Sequence, residues 1–361
     1  MKKFLVVFLK IAVSLGIIAY LVWTTTRGEG KANALLNLKD EPKNWEYLAG
    51  AWAMATTAVF MTFVRWWFLV RALEVPCKFR DAFRISFWGY LFNFLPLGIV
   101  SGDVVKIVML AHEHPRSKTR VAASVFVDRA IGLYMLFVVA STGILLSGYM
   151  KLDIPHPIIL CCQATIVLTI IGAVGIGLVL TPAVSDGKLA RWLEGLPRVG
   201  HLCEQLIDAV RLYRQKPAVL FLSSVMSVSV HCLFAISIYL IARGLPGNVP
   251  PLSLHFVIVP LSMVTQVIPF SIGPLELVMK ILYANMPPGI GPIADGQGFV
   301  IAICYRLVTL LIATLGIYYY LGNRKEVSQA MHEDQGEKTV PPPMGTVFAT
   351  AMRLPVHADC E

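Results

Sequence analysis

Asn93-Phe94-Leu95-Pro96-Leu97-Gly98-Ile99-Val100-Ser101-Gly102-Asp103 interrupts an apolar region spanning 86–110, and Gln266-Val267-Ile268-Pro269-Phe270-Ser271-Ile272-Gly273-Pro274-Leu275-Glu276 interrupts a second, spanning 252–286. Both breaks run in the same order: a side-chain amide, a proline three residues on, and an acid seven residues after the proline. A lysine follows each, Lys106 or Lys280, and the next apolar segment carries an arginine, Arg129 or Arg306. Proline lacks a backbone donor and clashes with the preceding turn, so each break ends a helix. Apolar segments interrupted at corresponding places in two halves point to a transporter's binding site. The pattern predicts an internally duplicated membrane protein whose broken segments meet at a polar site.

Composition agrees with that class. Of 361 residues, 56% are hydrophobic and only 15% charged, and the mean hydropathy is +0.68. So little charge leaves too little polar surface for a soluble fold of this size. The fold class expected is all-α and polytopic. Full spans read at 4–23, 48–70, 121–147, 157–180, 218–243 and 298–321, each near the 20 or so apolar residues that cross a bilayer core. Lys2-Lys3 ahead of the first run imitates a signal peptide, but the run is long enough to span, and an uncleaved helix is expected.

The net charge of +9 is read as cytoplasmic loop bias and attraction to anionic lipid rather than nucleic-acid binding, because no nucleic-acid module accompanies it. If both broken regions return to their side of entry, 19 cations fall on the cytoplasmic side and five outside. A single kinked span across 86–110 would instead put neighbouring basic loops in opposite compartments. The expected topology is therefore six spans plus two re-entrant helical hairpins, with both termini cytoplasmic in an inner (plasma) membrane. In that arrangement a first unit, 48–147, and a second, 218–321, are inverted relative to each other. Between them, 186–215 reads as an amphipathic cytoplasmic segment of two short interfacial helices. From 322 onward charge and Pro341–Pro343 indicate a disordered tail.

Three acids lie in the apolar regions, Asp103, Asp128 and Glu276, accompanied by Lys106, Arg129, Lys280 and Arg306. Ionisable groups at membrane depth are costly, so functional use is the first hypothesis. Ser101-Gly102 and Gly273-Pro274 read as starts of second half-helices, whose free N–H groups favour an anion. The candidate substrate-binding set is Asn93, Ser101, Gly102, Asp103, Lys106, Asp128, Arg129, Gln266, Ser271, Gly273, Glu276, Lys280 and Arg306. Each has a structural reading beside the functional one. Asp103 and Glu276 can cap helix N-termini, while Asn93 and Gln266 can repair backbone near the prolines. Arg129 with Asp103 and Arg306 with Glu276 are the expected pairs, and Asp128 needs a partner elsewhere. Lys10, Arg65 and Arg243 read as snorkelling side chains, His231 as a packed, hydrogen-bonded histidine, and Gly132, Gly143, Gly172, Gly175 and Gly177 as helix-packing positions. The seven cysteines show no CxxC pair and read as packing residues. No GxxxxGK[ST] loop, metal-ligand cluster or Ser–His–Asp arrangement is legible, so no cofactor is expected.

The run Gly102-Asp103-Val104-Val105-Lys106, followed by Ala123-Ser124-Val125-Phe126-Val127-Asp128-Arg129-Ala130-Ile131-Gly132-Leu133, resembles the transmembrane region of lysylphosphatidylglycerol synthases, also called the flippase-like or UPF0104 family. Pro269-Phe270-Ser271-Ile272-Gly273-Pro274-Leu275-Glu276 and Tyr305-Arg306 match its second half, and the resemblance covers roughly residues 5–322. Ser101 stands where the family has the first glycine of Gly-Gly-Asp, and Pro274 where a glycine is usual. The resemblance implies an integral membrane protein that moves or handles lipids. In the full synthases a soluble domain attaches the amino acid; no stretch here reads as one, so an enzyme is not expected. Three functions follow as expectations. The first is a lipid translocase or lipid-handling transporter for an anionic phospholipid or polyprenyl phosphate. The others are an ion-coupled carrier of a small polar solute and a non-transporting component of envelope lipid or glycan synthesis.

Overall fold

A computed structural model describes residues 2–26, 34–93, 101–182, 187, 200–267, 272–286 and 291–322. Among these the only regular structure is helical, with twelve α-helices. They are α1 (Lys2–Thr26), α2 (Ala34–Asp40), α3 (Trp45–Ala72), α4 (Phe79–Phe92), α5 (Ser101–Glu113), α6 (Lys118–Ser147), α7 (His156–Leu180), α8 (Gly200–Arg214), α9 (Pro217–Gly244), α10 (Leu252–Met263), α11 (Pro274–Ala284) and α12 (Gln297–Gly322). Five helices are long and apolar enough to cross a membrane: α3, α6, α7, α9 and residues Gln297–Gly316 of α12. With α1, a 25-residue helix, they account for the six runs in the sequence. The protein is an all-α, multi-pass membrane protein.

Local sequence sets the helix ends. The Asn44 side chain accepts the N–H groups of Glu46 and Tyr47 at 3.1 and 3.5 Å, capping α3. Gly148, with φ at +64°, ends α6 in the left-handed conformation. Pro217 and Pro274 stand first in α9 and α11, where a missing N–H costs nothing.

The frame is the antiparallel pair α3–α9. Gly244 accepts the Asn44 N–H at 3.0 Å, Ala51 accepts the Ser237 hydroxyl at 2.8 Å, and Ala72 accepts the Lys216 ammonium at 2.8 Å. Numbers rise along one helix as they fall along the other. At the end where α3 stops and α9 starts, Arg120 donates to the Leu73 carbonyl at 3.4 Å and Arg84 pairs with Glu113 at 3.0 Å. Basic residues crowd this end, Arg71, Lys118 and Arg214 among them.

The region 86–110 is not one kinked span. α4 and α5 are antiparallel: Arg84 meets Glu113, the Gly102 N–H donates to Asn93 Oδ1 at 3.2 Å, and Gly89 abuts Gly102. At 14 and 13 residues each arm extends about 20 Å, short of a bilayer core of about 30 Å. α10 and α11 form a second such pair, joined by a 2.7 Å hydrogen bond between His255 and Tyr283. The open ends of the first pair lie at the basic end of the bundle. Those of the second lie at the opposite end, where Gln297 donates to the Asn248 carbonyl at 2.9 Å.

Packing between the halves follows one rule. α6 crosses α10, and α12 crosses α4. Gly143 of α6 rests on the backbone of Phe256, and Gly316 of α12 on the backbone of Phe87. Small residues let helices approach this closely in lipid, where dispersion replaces the hydrophobic drive. α4 is further held on α3 by edge-on aromatic contacts, Phe60–Phe87 at 5.6 Å and Phe63–Phe87 at 5.0 Å between centroids.

Of 186–215, only residues 187 and 200–215 are described, the latter as α8 and Gln215. α8 docks on the bundle through Tyr213, whose hydroxyl donates to the Leu69 carbonyl at 3.0 Å. The rest of that segment, Pro96, Pro269 and the tail from 323 lie outside the described residues.

The α4–α5 contact carries a testable consequence. A Cβ on Gly102 would fall on the Gly89 carbonyl oxygen and the Asn93 amide. Overpacking of this kind costs about 1–3 kcal/mol. Gly102→Ala is expected to lower the thermal midpoint in detergent by several degrees. Gly175→Ala, whose new methyl meets nothing within 4 Å, should leave it unchanged or slightly higher.

Candidate functional site

At the inner end of the first helix pair, the start of α5 places Asp103 in its first turn. Arg129, one helix on, grips it with both arms of the guanidinium: Nε to Oδ2 at 2.7 Å and Nη2 to Oδ1 at 2.6 Å. Fork-on-fork geometry of this kind is the strong form of an ion pair. The pair is open on one face, with side chains 57% and 32% accessible. Asn93 Oδ1 takes the Gly102 N–H and so ties the end of α4 to the start of α5.

The second pair repeats the arrangement with deeper burial. α11 starts at Pro274, with Gly273 at φ +118° as its N-cap. Glu276 Oε2 turns back to accept the Gly273 N–H at 2.8 Å, while Oε1 accepts Arg306 Nε at 2.8 Å. One carboxylate thus caps a helix and pairs with an arginine at once. Glu276 is fully buried and the Arg306 side chain 23% accessible. Tyr90 of α4 lies within Coulombic range of Arg306, so the inner end of the first pair borders the ion pair of the second.

Asp128 finds the partner that its spacing could not name. Arg65 of α3 donates Nε to Asp128 Oδ1 at 2.8 Å, Nη2 to the Asp128 carbonyl at 3.3 Å, and Nη1 to Ser227 Oγ of α9 at 2.8 Å. The two side chains are only 6% and 7% accessible. Arg65 is therefore no snorkelling residue but the centre of a junction of α3, α6 and α9. Sequence reasoning missed it, although an unmatched acid and an unassigned base at membrane depth were both visible. With Arg65 counted, five bases face three acids, leaving two positive charges rather than one.

The lysines divide. Lys106 lies inside the first half, with Nζ 4.8 Å from the centroid of the Trp66 ring, and within Coulombic range of Asp128, Asp103, Arg129 and Arg65. Lys280 turns away to α1, donating to Thr24 and Thr25 hydroxyls at 2.8 and 3.1 Å. Gln266 stands exposed in the 3-10 turn after α10. Ser101 is the first residue of α5, and Ser271 lies outside the described residues. The structure thus gathers Asn93, Gly102, Asp103, Lys106, Asp128 and Arg129 in one half, and Gly273, Glu276 and Arg306 in the other.

His231 Nε2 meets the Gly132 carbonyl at 2.9 Å, beside the Arg65 junction. Since a carbonyl only accepts, Nε2 carries the proton. Cys77, in the loop after α3, is buried, and burial pushes its thiol up to about 12, which makes it a packed side chain rather than a nucleophile. Among the described residues no three His, Cys, Asp or Glu side chains gather as a metal site.

A search of curated proteins returned no match. The family description "Lysylphosphatidylglycerol synthase TM region" matches residues 7–316, a stretch holding both helix pairs and the ion pairs of Asp103, Asp128 and Glu276. The chain belongs to the lysylphosphatidylglycerol synthase transmembrane-region family.

Proposed function

We propose that this protein is a lipid translocase or lipid-handling transporter that receives an anionic phosphate head group at the polar site between its two helix pairs. One observation carries the reading: an acid in the first turn of a short inner helix grips an arginine on the next long helix, twice, in helix pairs that open toward opposite ends of the bundle. We read the pairs as re-entrant hairpins, and the halves as an inverted repeat. The antiparallel α3–α9 frame and the reciprocal crossings of α6 on α10 and α12 on α4 support this. Inverted units allow one half to rock against the other about a fixed site, exposing it alternately.

The charge supports an anion. Two cations in excess at membrane depth are costly unless a ligand shares them. A phosphodiester head group offers one negative charge and oxygens that match a guanidinium fork. Candidate cargoes are an anionic phospholipid or a polyprenyl phosphate. The crowding of cations at one end supports a cytoplasmic position for that end, in an inner (plasma) membrane.

Reconstitution into liposomes with labelled phosphatidylglycerol tests the proposal. The protein is expected to accelerate transbilayer movement, and Arg129→Ala, which frees an accessible pair rather than a buried one, to slow it at least tenfold. Equal rates in protein-free, wild-type and Arg129→Ala vesicles would refute it.

A further inference from the structure

Two donors in the first half have no acceptor among the described residues. Lys106 is 8% exposed, and its contact with Trp66 is through the ring face; no described residue accepts a hydrogen bond from its ammonium. Trp66 is fully buried, and its indole N–H is also without a partner. Of the neighbouring carboxylates, Asp103 is held by Arg129 through both oxygens and Asp128 by Arg65 through Oδ1; both act on Lys106 at Coulombic range, and neither accepts a hydrogen bond from it. A buried ammonium is costly when nothing accepts its protons, and a ring face offsets only part of that cost. The ammonium stands over the ring face while the indole N–H lies in the ring plane, so it is the ammonium that calls for an acceptor.

The lysine of the second half is satisfied. Thr24 and Thr25, at the end of α1, hold Lys280 between two hydroxyls. α1 is seated there by shape: Leu21 and Thr25 are fully buried, Ile17 lies against Gly273, and Thr25 against Gly296. Both glycines have positive φ, +118° and +75°, and a side chain would press on Ile17 at the first and clash with Thr25 at the second.

We infer that the two halves bind anions unequally: Lys106, over the face of Trp66, is the seat of a phosphate-bearing anion, while Thr24 and Thr25 of α1 close the Lys280 half by putting hydroxyl oxygens where anionic oxygens would sit. This rests on the head-group reading above and adds where the phosphate sits and what blocks its second position. Passage to the second half then requires α1 to release Lys280.

The test uses purified full-length protein in detergent, mixed with phosphatidylglycerol, phosphatidylcholine or sn-glycerol 3-phosphate and read by native mass spectrometry. Wild type is expected to retain one phosphatidylglycerol, Lys106→Met to retain at least tenfold less, and Lys39→Met, at an exposed site, to match wild type. Thr24→Val/Thr25→Val should admit a second molecule. Lys106→Met should also raise the thermal midpoint without added ligand, since it removes an ion that has no acceptor, which separates lost binding from lost folding. Retention of sn-glycerol 3-phosphate as strong as that of the lipid would identify a free phosphate ester as the occupant of the same seat. Undiminished retention by Lys106→Met, or a count of one in the threonine double variant, would overturn the inference while leaving the head-group reading standing. If wild type retained neither anionic compound above zwitterionic phosphatidylcholine, both would fall.

Discussion

Asp128→Ala is expected to be among the most damaging single substitutions in the chain, lowering stability by about 3–5 kcal/mol. The reason is the arginine left behind. Arg65 sits 5% exposed at the junction of α3, α6 and α9, with its Nε on the carboxylate and one arm on Ser227. Without Asp128 its charge stays buried with only neutral oxygens around it. Replacing both partners by apolar residues of similar volume removes charge and counter-charge together, which is often neutral or better. Arg65→Met/Asp128→Leu should therefore recover most of the loss. Thermal midpoints in detergent, followed by size-exclusion chromatography, measure both. A double variant as unstable as Asp128→Ala would show that these side chains do not act as a pair.

Glu276→Leu is expected to cost a similar amount, about 3–5 kcal/mol, because one fully buried carboxylate serves two partners. The substitution strands Arg306 and leaves the Gly273 N–H without its acceptor. Glu276→Gln separates the two roles: its amide oxygen can still accept from Gly273, as glutamine does in a capping box, but no charge faces Arg306. An intermediate loss is expected. The partly accessible pair of the first half should respond far less, with Asp103→Asn costing about 1 kcal/mol or less. Equal losses at Asp103 and Glu276 would contradict the difference in burial between the halves.

Much of this architecture is legible in one dimension. The prolines at 96 and 269 disfavour a continuing helix, and the first-turn acids and Pro274 mark where the next helices begin, because those preferences are set by the chain's own backbone. The pairing of Arg129 with Asp103 and of Arg306 with Glu276 also follows from order. Each arginine stands on the long helix that follows its acid, and each is a nearby base with few other partners.

Other features are not legible. Arg65 and Asp128 are 63 residues apart, and no local preference links them; only the antiparallel frame of α3 and α9 with α6 laid across it brings them together. Nor does the repeat in sequence reveal that its two lysines differ. Lys106 and Lys280 hold matching places, yet α1 reaches one and not the other, a fact of packing between segments some 250 residues apart.

The sequence by itself determined the class, the two breaks and the charges that flank them, because helix ends, bilayer-length runs and the cost of buried charge depend on residue type and spacing alone. Only the tertiary structure decided which charge answers which, and which lysine is left unanswered. Partner choice among buried ions depends on distance and burial in three dimensions, and those are set by how the helices cross.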